Sequence, residues 1–88
     1  MDFDVSPDLK KELKKIKKKD PVLAKKVQKL LSIFALNHLH PSLRNHKLSG
    51  FDDIWSISID KSIRMIYKLD SIGAYFFDIG THDQVYKK

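Results

Sequence analysis

No cysteine occurs among the 88 residues, which excludes a disulfide framework, a thiolate metal site and a cysteine nucleophile. No apolar run approaches the roughly 20 residues of a membrane span. The opening Met1-Asp2-Phe3-Asp4-Val5 is acidic where a secretory signal would carry an apolar core. The expected location is a reducing cytoplasm, with no membrane contact. Only three glycines and three prolines punctuate the chain, and it has no linker, repeat or low-complexity stretch. A chain this short can bury one core and no second, so residues 1–88 are expected to form a single domain. Arginine is scarce as well: Arg44 and Arg64 are the only two among seventeen basic residues.

Hydrophobic residues at 42% and charged residues at 32% fit a packed domain and argue against disorder. Seventeen Lys plus Arg against eleven Asp plus Glu leave a net charge of +6, which draws the chain toward polyanions. Ten of those basic residues lie between Lys10 and Lys29, and all ten are lysines. Lysine is a mobile point charge suited to bulk attraction, whereas arginine is the better fork for one fixed phosphate. The division suggests a docking surface in the first half and a specific site in the second. Within the block, Lys10, Lys11, Lys14, Lys15, Lys17 and Lys18 are the candidate docking residues for a polyanion such as nucleic acid or a ribosome. The competing reading of such a run is a solvated helix face.

Phe3 to Val5 reads as a short strand. Ser6-Pro7 then supplies an N-cap and a first helical residue. Leu9, Leu13 and Ile16 form a narrow helical stripe, and Asp20-Pro21 repeats the start signal, so the first helix ends near Lys19. A second helix carries Leu23, Val27, Leu30, Leu31 and Phe34 on one face and fades near Asn37. His40 to Asp53 has no sustained period and reads as a long loop, near the length at which loops are usually functional. The period then becomes two. Trp55, Ile57 and Ile59 alternate with serines; Ile63, Met65, Tyr67 and Leu69 alternate with Arg64, Ile66 and Lys68; Tyr75, Phe77 and Ile79 alternate with Ala74, Phe76 and Asp78. The expected architecture is α+β, in the order β-α-α-β-β-β, with a helical hairpin on one face of a small antiparallel sheet.

Arg64 falls on the face opposite Met65 and Tyr67, in company with Ser56, Ser58 and Lys68. His46 and Lys47 leave the loop just before the sheet, and His82 and Tyr86 follow its last strand. A meander can gather these around Arg64. One fixed cation, two imidazoles, a lysine and a phenol suit metal-free RNA cleavage. A base takes the 2′-hydroxyl proton, a cation holds the phosphate and an acid protonates the leaving 5′-oxygen. Neither a metal nor a cofactor is expected: His38 and His40 lack a third ligand at metal-binding spacing and read as the end of the second helix. An alternative for Arg64 is a cross-strand ion pair with Asp78.

His46-Lys47-Leu48-Ser49-Gly50, Trp55, Arg64-Met65-Ile66-Tyr67-Lys68 and Asp78-Ile79-Gly80-Thr81-His82-Asp83-Gln84-Val85-Tyr86 together resemble the RelE/ParE toxin superfamily, closest to its YafQ-like branch. The resemblance spans the whole chain. It implies a type II toxin–antitoxin toxin that cuts mRNA in the ribosomal A site, and a cognate antitoxin, expected to be acidic, that blocks it. By position, His46 matches the histidine of the H-x-L-x-G motif, His82 that of the G-T-H motif, Tyr86 an aromatic four residues later, and Arg64 an arginine that many RelE-type members place on the third strand; the resemblance implies that these four are catalytic, with Lys47 and Arg64 toward the substrate phosphate. Ser58 and Ser62 stand where close members carry a histidine and an aspartate, and Asp78 stands where they carry an arginine. The rival readings are a ParE-like, non-catalytic inhibitor of DNA gyrase and a decayed toxin that only binds its antitoxin. The pair of histidines speaks against the gyrase reading.

Overall fold

Ser6 and Asp20 each open a helix by the same device. Ser6 Oγ accepts the Leu9 N–H at 3.1 Å, and Asp20 Oδ1 accepts the Leu23 N–H at 3.1 Å. A proline occupies the first turn after each, where no N–H is needed. In this computed structural model, which describes residues 1–81, 84 and 85, the first helix α1 spans Pro7–Lys19 and the second, α2, spans Pro21–Leu36. Asp20 also closes α1, its own N–H donating to Ile16 O at 2.7 Å. One residue therefore ends one helix and begins the next, and the result is a tight hairpin.

Among the described residues, five strands form one sheet: β1 Phe3–Val5, β2 His46–Lys47, β3 Ile54–Ser58, β4 Ile63–Leu69 and β5 Ala74–Thr81, in the order β1-β5-β4-β3-β2. The α+β class and the central meander β3-β4-β5 are as the sequence predicts. The sheet is mixed rather than wholly antiparallel, because β1 pairs with β5 in parallel. A three-residue strand carries no pattern from which that direction could be read. The expected loop from His40 to Asp53 also holds more structure than predicted. Pro41–Leu43 makes a 3-10 turn, and His46–Lys47 adds an edge strand to β3. Two residues are too few to show a period.

The helices cover one face of the sheet. Phe34 of α2 sits at the centre of that core, with ring centroids 5.1 Å from Tyr67, 5.1 Å from Phe76 and 6.0 Å from Phe3, all near edge-on. Leu9, Val27, Leu43, Ile57, Ile59, Met65 and Ala74 belong to it as well, and Trp55 packs against it half-buried.

Strand β5 departs from the predicted alternation. Tyr67 pairs with Phe76 and Ile66 pairs with Asp78, so Phe77 is an extra residue in a bulge. Ala74 and Phe76 face the core before the bulge, and Ile79, opposite Met65, packs on the core after it. The apolar set is thus Ala74, Phe76 and Ile79, not Tyr75, Phe77 and Ile79. Tyr75 and Phe77 remain exposed.

Candidate active site on the open face of the sheet

The face away from the helices is built by register. His46 pairs with Ser56, Ser56 with Ile66, and Ile66 with Asp78, so these four residues cross the sheet in one row. One step along, Ser58, Arg64 and Gly80 make the next row. The predicted convergence of His46 and Arg64 is present: Arg64 Nη2 lies 3.0 Å from His46 Nδ1. The same Nη2 donates to Arg44 O at 3.2 Å, and Arg64 Nε donates to Ser56 Oγ at 3.1 Å. Arg44 adopts the left-handed conformation, with φ 46° and ψ 47°, where it ends the 3-10 turn. A non-glycine residue there costs about 1–2 kcal/mol.

The approach of His46 to Arg64 is fixed one residue earlier. Asn45 Oδ1 accepts the Tyr67 hydroxyl at 2.8 Å, and Asn45 Nδ2 donates to His38 O at 3.0 Å. Tyr67 is fully buried, and burial raises the pKa of its phenol; the bond to Asn45 works in the opposite direction more weakly. A neutral donor in the core thus ties β4 to the segment that delivers His46. Sequence reasoning read Asn45 as a loop marker only.

Lys47 is placed less favourably. It pairs with Trp55 and so alternates to the other face of the edge strand, although it still borders the groove. Its Nζ lies 4.0 Å from Asp52, an exposed pair of small energetic weight. Arg64 is opposite Gly80, not Asp78, and no ion pair joins Arg64 to Asp78 among the described residues. Asp78 Oδ1 accepts the Ile79 N–H at 3.0 Å. His82 and Tyr86 lie outside the described residues.

Ser58 and Ser62 serve a turn. Ser58 Oγ donates to Asp60 O at 2.9 Å, while Asp60 Oδ1 accepts the N–H groups of Ser62 and Ile63 at 2.9 and 2.8 Å. Those backbone donors, Ser62 first, hold the Asp60 carboxyl below its usual range. His40 likewise caps the 3-10 turn, its Nδ1 accepting the Ser42 N–H at 3.1 Å, and the His38 ring meets Phe34 edge-on.

Beside His46 a groove of about 570 Å³ runs along the open face, floored by Ile54 and Ile66 and bordered by Phe51, Phe77, Asp78 and Val85. Ile66 is only 2% exposed despite lying away from the helices, and Val85, from beyond the last strand, is 6% exposed. The open face therefore carries a second apolar patch that the expectation of a polar face missed. The signal was Ile66 itself, standing between Arg64 and Lys68. Thr81 and Gln84 form a reciprocal capping box, Gln84 Oε1 accepting the Thr81 N–H at 2.9 Å and Thr81 Oγ1 the Gln84 N–H at 3.2 Å. Gly80 leaves room for it: a Cβ there would stand 2.8 Å from Gln84 Oε1.

The six candidate docking lysines, Lys10, Lys11, Lys14, Lys15, Lys17 and Lys18, are all exposed on α1. That helix buries Leu9 in the core, so α1 packs on the covered face of the sheet while the His46–Arg64 pair lies on the open one; at its start, Asp8 and Glu12 share a cleft with Phe77, Asp78 and Gln84.

Residues 1–87 match the family described as the bacterial toxin of type II toxin–antitoxin systems, YafQ. A candidate toxin of Methanocaldococcus jannaschii, RelE4, is 29% identical over 89 residues, covering 99% of this chain and 92% of that protein. The fold is similar to YafQ in the DinJ–YafQ complex of Escherichia coli, with a TM-score of 0.77, 23% identity and 97% of each chain covered. It is also similar to a chain of the YoeB–YefM complex of Staphylococcus aureus, with a TM-score of 0.74, 21% identity, and 93% of this chain and 97% of that one covered.

Proposed function

The chain belongs to the YafQ family of type II toxin–antitoxin toxins, and from that premise we propose that it is a ribosome-dependent, metal-free mRNA endonuclease that inhibits translation. The observation that carries this reading is the Arg64–His46 pair, 3.0 Å apart on an open sheet face beside an apolar-floored groove. The reaction is transfer within the RNA. A base takes the proton of a 2′-hydroxyl, the O2′–P bond forms, the P–O5′ bond breaks, and an acid returns a proton to the departing 5′-oxygen. His46 and His82 supply the base and the acid. Arg64 holds the phosphate and offsets the charge that grows on its oxygens. Lys47, turned to the other face of its strand, adds field rather than a contact, and Tyr86 stacks on or orients a base.

The separation of the lysine helix from the pair supports a large substrate. mRNA threaded through a ribosome presents RNA on several sides of a molecule 34 × 30 × 25 Å in extent, which suits basic residues on the helix-covered face as well as on the open one. The related toxins of known structure are found with antitoxins, DinJ for YafQ and YefM for YoeB. By that analogy this chain takes a cognate antitoxin. Its net charge of +6 favours an acidic one.

The test is primer extension on mRNA from cells expressing the wild type, Arg64→Ala and His82→Ala. Cleavage by the wild type and a loss of about 10²-fold or more in each folded variant is expected. Full cleavage in both variants sinks the site assignment. Growth arrest with intact mRNA and inhibited gyrase turns the reading to the ParE-like alternative. A wild type that binds its antitoxin without arresting growth is the decayed toxin.

A further inference from the structure

Arg64 has five N–H donors, one on Nε and two on each terminal nitrogen. Three acceptors meet them from the protein: Ser56 Oγ takes Nε, while Arg44 O and His46 Nδ1 take Nη2. Five less three leaves two donors. Both are on Nη1, for which no acceptor stands among the described residues. The guanidinium is thus held along one edge by two stretches of chain, strand β3 and the Arg44–His46 segment, and turned so that Nη1 is the group left to offer.

Two of these holds are bought by unusual placements. Ser56 is 0% exposed, a hydroxyl buried in the middle of a strand between Trp55 and Ile57, where an apolar residue would ordinarily gain more. The Arg44 carbonyl reaches Nη2 from a residue in the left-handed region, a conformation that side chains other than glycine seldom take. Neither feature is required by the meander. Ser56 pairs with Ile66 and His46 through its backbone whatever its side chain.

We infer that Ser56, with the Arg44 carbonyl, is a positioning group for Arg64: it locks the guanidinium plane so that Nη1 alone faces the scissile phosphate. This rests on the nuclease reading for the identity of the anion, though not for the hold itself. A positioned fork loses little freedom when the phosphate changes shape in the transition state, so loss of Ser56 Oγ should fall on kcat and not on KM.

The experiment uses the full chain. The first readout needs no activity: exchange of the Arg64 Nε proton with water, followed by NMR, in the wild type and in Ser56→Ala. Faster exchange by about ten-fold in the variant is expected, with the fold intact because the change removes one oxygen. The second is cleavage of ribosome-bound mRNA. Ser56→Ala should lower kcat about ten-fold or more with KM little changed. In an Arg64→Lys background, which has no Nε–H to hold, the same substitution should cost about two-fold at most. Equal losses in both backgrounds mean Ser56 is merely structural and overturn the inference. Exchange and kcat that both ignore Ser56→Ala overturn it too. A wild type that leaves mRNA intact while Nε exchange still depends on Ser56 overturns the nuclease reading and supports the hold.

Discussion

Arg64 Nη2 and His46 Nδ1 lie 3.0 Å apart, and a guanidinium has no lone pair to accept with. Nδ1 must therefore supply the lone pair, and the neutral imidazole carries its hydrogen on Nε2. Arg44 O stands 3.3 Å from the same Nδ1 and is a ready alternative partner for a proton there. Long-range proton–nitrogen NMR of His46 should report the Nε2–H tautomer in the wild type. In Arg64→Ala the Nδ1–H form should gain population at the expense of the other. An unchanged tautomer in that variant would show that Arg64 does not set it.

Tyr67→Phe tests the link from the core to the site. The substitution keeps the ring among Phe34 and Phe76 but leaves Asn45 Oδ1 without its donor, which should cost about 1 kcal/mol in denaturant unfolding. Activity should fall as well, because Asn45 precedes His46 directly. Burial raises the tyrosine pKa, so the stability held by the neutral phenol is fully present below about pH 10 and is lost as pH rises through the higher folded value. Tyr67→Phe should be flat across that range. A wild type no more sensitive to alkali than the variant would contradict this.

Much of this fold was legible because its signals are local. Ser6-Pro7 and Asp20-Pro21 announce two helix starts with side-chain acceptors and a proline in place, and both caps form. The period-two runs name β3 and β4 correctly because the two strands pair with each other without a shift, from Ile54 opposite Lys68 to Ser58 opposite Arg64. The reading fails where geometry depends on a partner. The bulge at Phe77 exists only in register against Ile66 and Tyr67, and nothing in Tyr-Phe-Phe-Asp-Ile marks which aromatic is the extra one. Likewise β2 is a strand solely because β3 presents an open edge to it. For the site, the parity of Arg64 was enough to predict its face. The hold by Ser56 and by a backbone carbonyl twenty residues away was not, since a carbonyl has no signature in sequence. Thr81-His82-Asp83-Gln84 does fit the capping-box pattern, and that signal was available.

Asp60 offers a pH test remote from the site. Its carboxylate accepts two backbone N–H groups in the β3–β4 turn, which depress its pKa. A depressed carboxylate contributes stability that is present above its unfolded value, about pH 3.9, and is lost as pH falls through the lower folded one. Asp60→Asn keeps an acceptor oxygen and removes the charge. Unfolding curves should show the wild type ahead at neutral pH and the gap closing on acidification. A gap that is constant across that range would assign the effect to the turn geometry alone.

The lysine helix yields the last prediction. Lys14, Lys15, Lys17 and Lys18 are exposed on α1, on the far side of the sheet from Arg64, so they cannot hold the scissile phosphate. Glutamine has nearly the same helix propensity as lysine. The fourfold Lys→Gln variant should therefore unfold within about 0.5 kcal/mol of the wild type. If these side chains meet ribosomal RNA, each lost phosphate contact removes a log–log salt slope of about 0.7–0.9, so the slope for ribosome binding should flatten by up to about 3. The catalytic step on mRNA already bound should be untouched, because the site lies on the opposite face. Titrating ribosome binding against salt separates the possibilities. A flattened slope with kcat preserved makes α1 the docking surface, whereas an unchanged slope reduces its lysines to a solvated helix face.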